Sequence, residues 1–424
     1  MADLQKRFHD IIAPVIAFDS EIEIVDGKGS WVTGVDGKQY LDFACGIAVT
    51  NLGHRPDAVV AAAQTQLNKL WHAGGAFLYE PLVTAAEAIV GIAPDGIDKV
   101  FFMNSGAEAV EGSIKLAKKV TGRQGIITFR GGFHGRTMGS VTYTTSKAKY
   151  RQGYHPLLPS TFVAPFPHPY GWGMSQEEAN AYALRELEFK FRYEVTPGEI
   201  AAFLVEPMQG EGGYYPASKA FLEALRAIAD EHGILLVFDE VQTGFGRTGD
   251  WFTSQVYDVR PDVLAMGKAI ANGLPLSAVG ASSELMDQWL PGSHGTTFGG
   301  NPVCCAASAA TIDGLREVIP TVPTSSEHAF SRWNALKGTH PTIGDVRGLG
   351  LMIGIELVKA DGSPDPDAFA SIASFARNAG MFILNCGPDG NIIRFIPPLN
   401  VSREDLDRGI DILAEAIGVY EAGR

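Results

Sequence analysis

Cysteine is scarce in this chain: four residues in 424, none of them spaced C-x-x-C. Cys45, Cys304, Cys305 and Cys386 sit in apolar surroundings, so neither a disulfide framework nor a structural zinc site is expected. Basic charge is also in short supply. Lysine and arginine number 34 against 48 acidic residues, a formal charge of −14, which disfavours nucleic acid and anionic membranes as partners. No apolar run is long enough to span a bilayer, and Met1–Asp10 is polar and charged rather than a basic-apolar leader. These absences leave a reduced, cytoplasmic globular protein as the expectation. What is present is ordinary: 46% hydrophobic and 19% charged residues, in a length that suits two lobes. The 49 glycines are dispersed, as many tight strand–helix turns require.

The patterning changes along the chain. Up to about Gly46 it suggests short strands and turns, with Gly34–Gly37 turning between Trp31–Thr33 and Gln39–Phe43. A helix is expected from about Pro56 to Leu67. Between about 80 and 300, helical stretches alternate with the apolar runs Val100–Met103, Gly125–Phe129, Ala201–Glu206 and Ile234–Asp239. Phe221–His232 is an amphipathic helix stopped by Gly233. That alternation predicts an α/β domain with a mostly parallel sheet. Pro156–Pro169 and Gly171–Gly173 suggest a long surface excursion. Beyond Cys304, a helix over Ala306–Ile319, strands near Val346, Leu351–Leu357 and Ile392–Ile396, and a last helix from Glu404 predict a smaller α+β lobe. The expected division is 1–50 joining the small domain, 51–303 the large domain, and 304–424 the small domain.

The most informative pair is Asp239 and Lys268, 29 positions apart (268 − 239). Asp239 closes a near-continuous apolar run, the mark of a strand buried on both faces, and ligands of parallel sheets bind beyond such carboxyl ends. Lys268 follows Ala265-Met-Gly267 in a small-residue loop, where desolvation would favour the neutral, nucleophilic amine. A lysine that can form a Schiff base and an acid that can hold a protonated pyridine are what pyridoxal phosphate chemistry needs. Taken singly, an ordinary lysine is a solvated surface group and a strand-terminal Asp is a turn former.

Other segments supply the remaining parts. Asn104–Val110 follows a strand and opens a helix, so Ser105, Gly106 and Ala107 could cradle a phosphate, although Ser105 could equally cap the helix. Phe133 could stack on a ring or pack in the core, and His134 could touch the ring or be a satisfied loop histidine. Arg136 is a candidate carboxylate clamp, or else a surface ion-pair partner. Glu206 and Glu211 lie in a glycine-rich loop that suits a shaped site or a solvated turn. Arg394 interrupts the apolar Asn391–Pro397 and must find an acid or an anionic ligand. Gly244–Gly249 matches G-x-G-x-x-G, but five residues separate Phe238 from its first glycine, so the tight turn of a dinucleotide fold is missing.

In order, Tyr40–Phe43, Asn104–Val110, Phe133–Thr137, Glu206–Gly213, Phe238–Gly244, Gly246–Gly249, Lys268, Gly295–Pro302 and Val346–Gly350 resemble the class III (ω-amino acid) aminotransferases. These are fold-type-I pyridoxal-phosphate enzymes, and the resemblance covers nearly the whole chain. Within the family it is nearest to 4-aminobutyrate aminotransferases, with acetylornithine and ornithine enzymes next; Gly292–Phe298 looks much like the acetylornithine type. The resemblance implies that Lys268 is the Schiff-base lysine and proton shuttle, and that Asp239 holds the pyridinium. Ser105, Gly106 and Ala107 would bind the phosphate, joined by Thr297 from the neighbouring subunit of a homodimer, with a tetramer also open. Phe133 would stack on the ring, with Val241 on its other face and Gln242 near the ring hydroxyl. His134 and Glu206 would complete the cofactor's surroundings. Ile47 would line the substrate entrance. Arg136 would bind the distal carboxylate and Arg394 the α-carboxylate of 2-oxoglutarate or glutamate. Glu211 would cover Arg394 when the amino donor has no α-carboxylate.

The expected activity is amino transfer from 4-aminobutyrate, or a similar ω-amino acid, to 2-oxoglutarate, giving succinic semialdehyde and L-glutamate by a ping-pong mechanism. The same fold also serves amino-acid racemases and aminomutases, but two arginines for two carboxylates favour transamination. A non-catalytic cofactor-binding module would need a lost lysine or a fused DNA-binding segment, and neither is seen. Ala107 stands where relatives often carry serine, and Phe133 where some carry tyrosine, so each loses a hydroxyl without touching the reaction class.

Overall fold

A computed structural model describes residues 4–16, 18 and 20–423; the first three residues of the polar Met1–Asp10 stretch lie outside it. Its centre is a seven-stranded sheet. In spatial order the strands are Lys99–Met103, Ser277–Ala281, Val263–Met266, Leu235–Asp239, Ile200–Val205, Gly125–Phe129 and Thr161–Ala164. Ser277–Ala281 runs antiparallel to both neighbours. Every other pairing is parallel. The four strands Gly125–Phe129, Ile200–Val205, Val263–Met266 and Ser277–Ala281 are buried at every position, because helices cover both faces of the sheet. Each large apolar side chain buried there contributes about 1.5–3 kcal/mol, which makes the sheet a rigid base.

That parallel arrangement positions the site. The strands ending at Met103, Phe129, Val205, Asp239 and Met266 all finish at the same edge. Their following residues, Asn104–Gly106, Arg130–His134, Glu206, Glu240–Gln242 and Gly267–Lys268, therefore converge. Asp239 sits opposite Ala265 in the ladder, which places Lys268 one short turn beyond it. The helix Gly106–Thr121 begins at this edge with a capping box between Ser105 and Glu108, and ends at left-handed Gly122.

Two smaller sheets flank this body. Ile343–Leu349, Met352–Leu357, Ile392–Phe395 and Leu384–Cys386 form an antiparallel sheet in that order. Arg394 lies within it, opposite Gly354 on one side and Leu384 on the other. Ile24–Lys28, Trp31–Gly34, Gln39–Asp42 and Met381–Phe382 form the third sheet, which joins early and late parts of the chain. The helix Pro302–Val318 packs on the helices Asp57–Leu67 and Glu80–Val90.

Three sequence expectations need correction. The first 46 residues are not only strands and turns, since Leu4–Ile11 is a helix with no buried residue. The proline-rich stretch is not wholly a surface excursion: Thr161–Ala164 is the edge strand of the central sheet, and Pro165 and Phe166 are buried behind it. An edge strand tolerates flanking prolines, and those prolines hid a four-residue β-prone run. The helix placed at Ala306–Ile319 starts earlier, at Pro302, where Asn301 caps it.

Gly244–Gly249 wraps a buried arginine rather than a phosphate. Arg247 is fully buried and donates to the carbonyls of Leu351 and Pro397 at 3.1 and 2.7 Å, and to Asn51 Oδ1 at 2.6 Å. A Cβ on Gly246, whose φ is +89°, would strike Ile319 at 2.6 Å and Leu399 at 2.8 Å. The glycines thus let the chain close around a cation that ties three distant segments together.

Candidate active site

At the carboxyl edge of the sheet lies a cavity of about 190 Å³. Its wall includes Gly106, Ala107, Phe133, His134, Glu206, Glu211, Asp239, Val241, Gln242 and Lys268. Ten of the fifteen candidate residues therefore meet around one space. Ser105, Arg136 and Arg394 adjoin it through wall residues. Ile47 and Thr297 do not line it: Ile47 is 42% exposed and Thr297 is exposed at the surface.

Lys268 projects from a strained backbone. Gly267 is extended and Lys268 has φ +44°, a left-handed conformation costing about 1–2 kcal/mol for a residue with a side chain. The next three residues are buried, so the turn cannot relax outward. Burial lowers the Lys268 pKa from 10.5 to about 8; Glu206 and Asp239 act against that shift without cancelling it. A substantial fraction of the amine is then neutral near neutral-to-alkaline pH, as a nucleophile or proton carrier requires.

Asp239 is 4% exposed and held from two directions. Oδ2 meets His134 Nδ1 at 2.7 Å, and Oδ1 accepts the Val241 amide at 3.1 Å. Each oxygen retains a lone pair for a further donor. His134, itself buried, is fixed by its amide donating to Thr144 Oγ1 at 2.9 Å, so in this structure its ring orients Asp239. Glu240, one residue on, turns away and accepts the amides of Thr253 and Ser254 at 2.6 and 2.8 Å, capping a short helix.

Glu206 is a clasp. Its two oxygens accept the amides of Phe133 at 2.7 Å and Gly210 at 2.9 Å, fixing the loops that carry Phe133 and Glu211. Burial raises its pKa, and nearby Asp239 adds to that rise, while His134 and the two amides pull it down. Ser105 Oγ accepts the Glu108 amide at 3.3 Å, so the capping role is real and the hydroxyl proton is left to donate elsewhere.

The far wall is a charge cluster. Arg394, 4% exposed, meets Glu211 Oε2 through Nη2 and donates from Nε to Asn385 O at 2.7 Å. Glu211 Oε1 accepts from Tyr150 Oη at 2.8 Å and lies 2.9 Å from Lys147 Nζ. Arg136 is exposed and stacks over the Tyr150 ring at 4.3 Å and the Phe133 ring at 5.8 Å. Burial, then Arg394, lowers the Lys147 pKa. Lys147 and Tyr150 were missed in sequence, because Ser146–Arg151 looks like an ordinary solvated loop. Behind this cluster is a second, larger cavity of about 1240 Å³, bordered by Lys147, Gly212 and Asn385. The smaller cavity is the candidate active site, since the strained lysine and the buried acids face it.

The model of aminotransferase class III matches residues 16–417. The chain belongs to the class III aminotransferases. A probable 4-aminobutyrate aminotransferase of Bacillus subtilis is 38% identical over 424 residues, covering 97% of this chain and 96% of that one. A 5-aminovalerate aminotransferase of Pseudomonas putida is 40% identical over 393 residues, covering 92% and 91%. Among solved structures, a PLP-bound amine transaminase from an uncultivated Pseudomonas species superposes with a TM-score of 0.90 at 29% identity, covering 96% and 98%.

The cofactor of this aminotransferase is pyridoxal 5′-phosphate, and its substrates are an amino donor and an oxo-acid acceptor. The cavity fits that cofactor. Gln242 is 8% exposed, yet its Oε1 has no hydrogen-bond partner among the described residues, so it awaits a donor from a bound group. The helix start is kept bare by two glycines. A Cβ on Gly106 would strike Val241 at 2.7 Å, and one on Gly135 would strike Ala107 at 2.7 Å. Backbone amides at that N-terminus are thus open to a phosphate. No helix among the described residues is long and apolar enough to cross a membrane.

Proposed function

We propose that this aminotransferase moves the amino group of 4-aminobutyrate, or a similar ω-amino acid, to 2-oxoglutarate, giving succinic semialdehyde and L-glutamate. The observation that carries the reading is the buried Glu211–Arg394 pair beside Lys268, with Arg136 free of any ion pair among the described residues. A donor with one carboxylate needs one arginine. The 2-oxo acid and its product have two carboxylates and need both. Glu211 supplies the missing negative charge at Arg394 whenever the donor occupies the site.

Bound in the cavity, the cofactor supplies an electron sink and carries the amino group between the two half-reactions. Lys268 Nζ anchors it and moves the proton at the reacting substrate carbon. Asp239, oriented by His134, holds the ring nitrogen protonated. Ser105, Gly106 and Ala107 bind the phosphate, with Thr297 from a second copy of the chain in a homodimer. Phe133 and Val241 would hold the ring between them, Gln242 Oε1 would accept from its hydroxyl, and Glu206 keeps both neighbouring loops in place. Ile47 borders the substrate entrance. We place the large domain at 51–303 and the small domain at 304–424 with 1–50, and the site of action in the cytoplasm.

Stopped-flow absorbance tests the reading. The yellow holoenzyme is mixed with 4-aminobutyrate and no oxo acid. Conversion to the amine form of the cofactor, reversed by 2-oxoglutarate, is the expected result. Conversion by acetylornithine but not by 4-aminobutyrate would move the assignment to the acetylornithine type. Turnover of a single amino acid with no oxo acid present would make the enzyme an isomerase.

A further inference from the structure

One buried cation in the substrate wall has no place in that scheme. The Lys147 ammonium lies 2.9 Å from Glu211 Oε1, with the two side chains 11% and 12% exposed. Glu211 therefore stands between two cations, Lys147 on one oxygen and Arg394 on the other, with Tyr150 Oη also on the Lys147 side. Its backbone is pinned. Glu211 O accepts the Gly387 amide at 2.9 Å, and Arg347 donates twice to Gly213 O, at 2.7 and 3.0 Å. Arg394 is anchored as well, through Nε to Asn385 O. When a second carboxylate comes to Arg394, what can yield is the Glu211 side chain alone, and the reach of that rotation is set by Lys147 and Tyr150.

We propose that Lys147 is a positioning residue for Glu211: it holds the displaced carboxylate and so sets how well the site accepts a dicarboxylate. This rests on the assignment of Arg136 and Arg394 to two substrate carboxylates. Charge supports it. Lys147 and Arg394 against Glu211 leave one cation in excess at that carboxylate, with Asp389 further off also acting on Lys147, and a carboxylate arriving at Arg394 offsets that excess. Without Lys147 the same occupant would leave Glu211 and the incoming carboxylate sharing Arg394, an arrangement that low-dielectric surroundings penalise. A monocarboxylate leaves Glu211 on Arg394, where it keeps both cations, and brings no second charge for Lys147 to offset.

The test uses two unreactive ligands, glutarate and butyrate, titrated calorimetrically into the holoenzyme, so that no turnover is needed. Lys147→Met should weaken glutarate by about tenfold or more and butyrate by less than about threefold. Lys147→Arg should restore glutarate binding to within about threefold, because it returns the charge. Should the Met variant fail to fold, judged by loss of the bound-cofactor band, Lys147→Gln takes its place with the same expectation. Equal weakening of both ligands, or of neither, in a wild-type background that prefers glutarate would overturn the role of Lys147 alone. A wild-type enzyme that binds glutarate no better than butyrate would instead overturn the two-carboxylate assignment, and this proposal with it.

Discussion

On the sheet side of the cavity, Asp239 is held by His134 and the Val241 amide, and Glu206 by the amides of Phe133 and Gly210. Those donors come from loops that follow strands of the central sheet. On the opposite side, Glu211 contacts Arg394, Lys147 and Tyr150 together, with side chains from a loop and from a different sheet. The sheet-side acids are the more deeply buried, Asp239 and Glu206 being buried where Glu211 and Lys147 keep part of their surface exposed. One side gives each acid one set of partners, and the other gives a single acid alternatives. Fixed partners suit a permanent cofactor. Alternative partners suit two substrates that differ by one carboxylate.

The largest effect that would separate the sides comes from Lys268→Ala. Turnover should fall by at least about 10³-fold, because the proton carrier is removed, while ligand binding at Arg394 stays unchanged. Steady-state assay and glutarate titration on the same sample measure both. Activity within tenfold of wild type would remove Lys268 from the chemistry. The apo variant should be no less stable than the apo wild type, since a buried ammonium has been taken out.

The next test uses the lowered Lys268 pKa. Below about 8 the amine holds its proton and lacks the lone pair that cofactor attachment requires. The rate of cofactor uptake by the apoenzyme should therefore fall as pH drops, approaching about tenfold per pH unit well below that midpoint, or about 50-fold from pH 8 to pH 6. The growth of the yellow band after mixing reports it. A midpoint near the ordinary lysine value would mean that the site does not desolvate Lys268. On the other wall, Arg394→Met should raise KM for 2-oxoglutarate by about 10- to 100-fold, the loss expected for a charge-assisted pair. The ω-amine half-reaction should change far less, since Lys147 and Tyr150 still hold Glu211. Equal damage to both half-reactions would erase the distinction between the walls.

The same division governs what could be seen in the sequence. The sheet side was legible because its chemistry follows strand ends: Asp239 closes an apolar run, and Lys268 follows another, so local pattern points to shared space. The side that carries Glu211 was half legible. Arg394 stood out as a charge inside an apolar strand, and Glu211 as an acid in a glycine loop. Lys147 and Tyr150 did not, because their meaning lies in contacts made to Glu211, 64 and 61 positions away. The same holds for Arg247, whose partners Asn51, Leu351 and Pro397 no local pattern connects. The edge strand Thr161–Ala164 was hidden for the opposite reason, a local one: its prolines imitate a loop. His134 was noticed as a residue but not as the orienter of Asp239, 105 positions on.

The smallest expected effect tests whether one side chain can serve structure and cofactor together. Ser105 caps the helix Gly106–Thr121 through its acceptor lone pair and keeps its proton for a further acceptor, which under the proposed function is the phosphate. Ser105→Ala should remove both contacts. The cap is worth about 1 kcal/mol of stability. A single neutral hydroxyl contact to a phosphate already held by backbone amides should change cofactor affinity by about fivefold. Chemical denaturation of the apo form measures the first, and equilibrium release of the cofactor on dilution measures the second. Lost stability with unaltered affinity would make Ser105 a cap alone. Ser105→Asp separates the roles further. A carboxylate is a good cap and favours the helix N-terminus, so the apo form should keep its stability, but it repels a phosphate and should weaken the cofactor more than alanine does. If aspartate instead bound the cofactor as well as serine does, the phosphate would have to lie away from this helix start, and the fixed side of the cavity would need a different anchor.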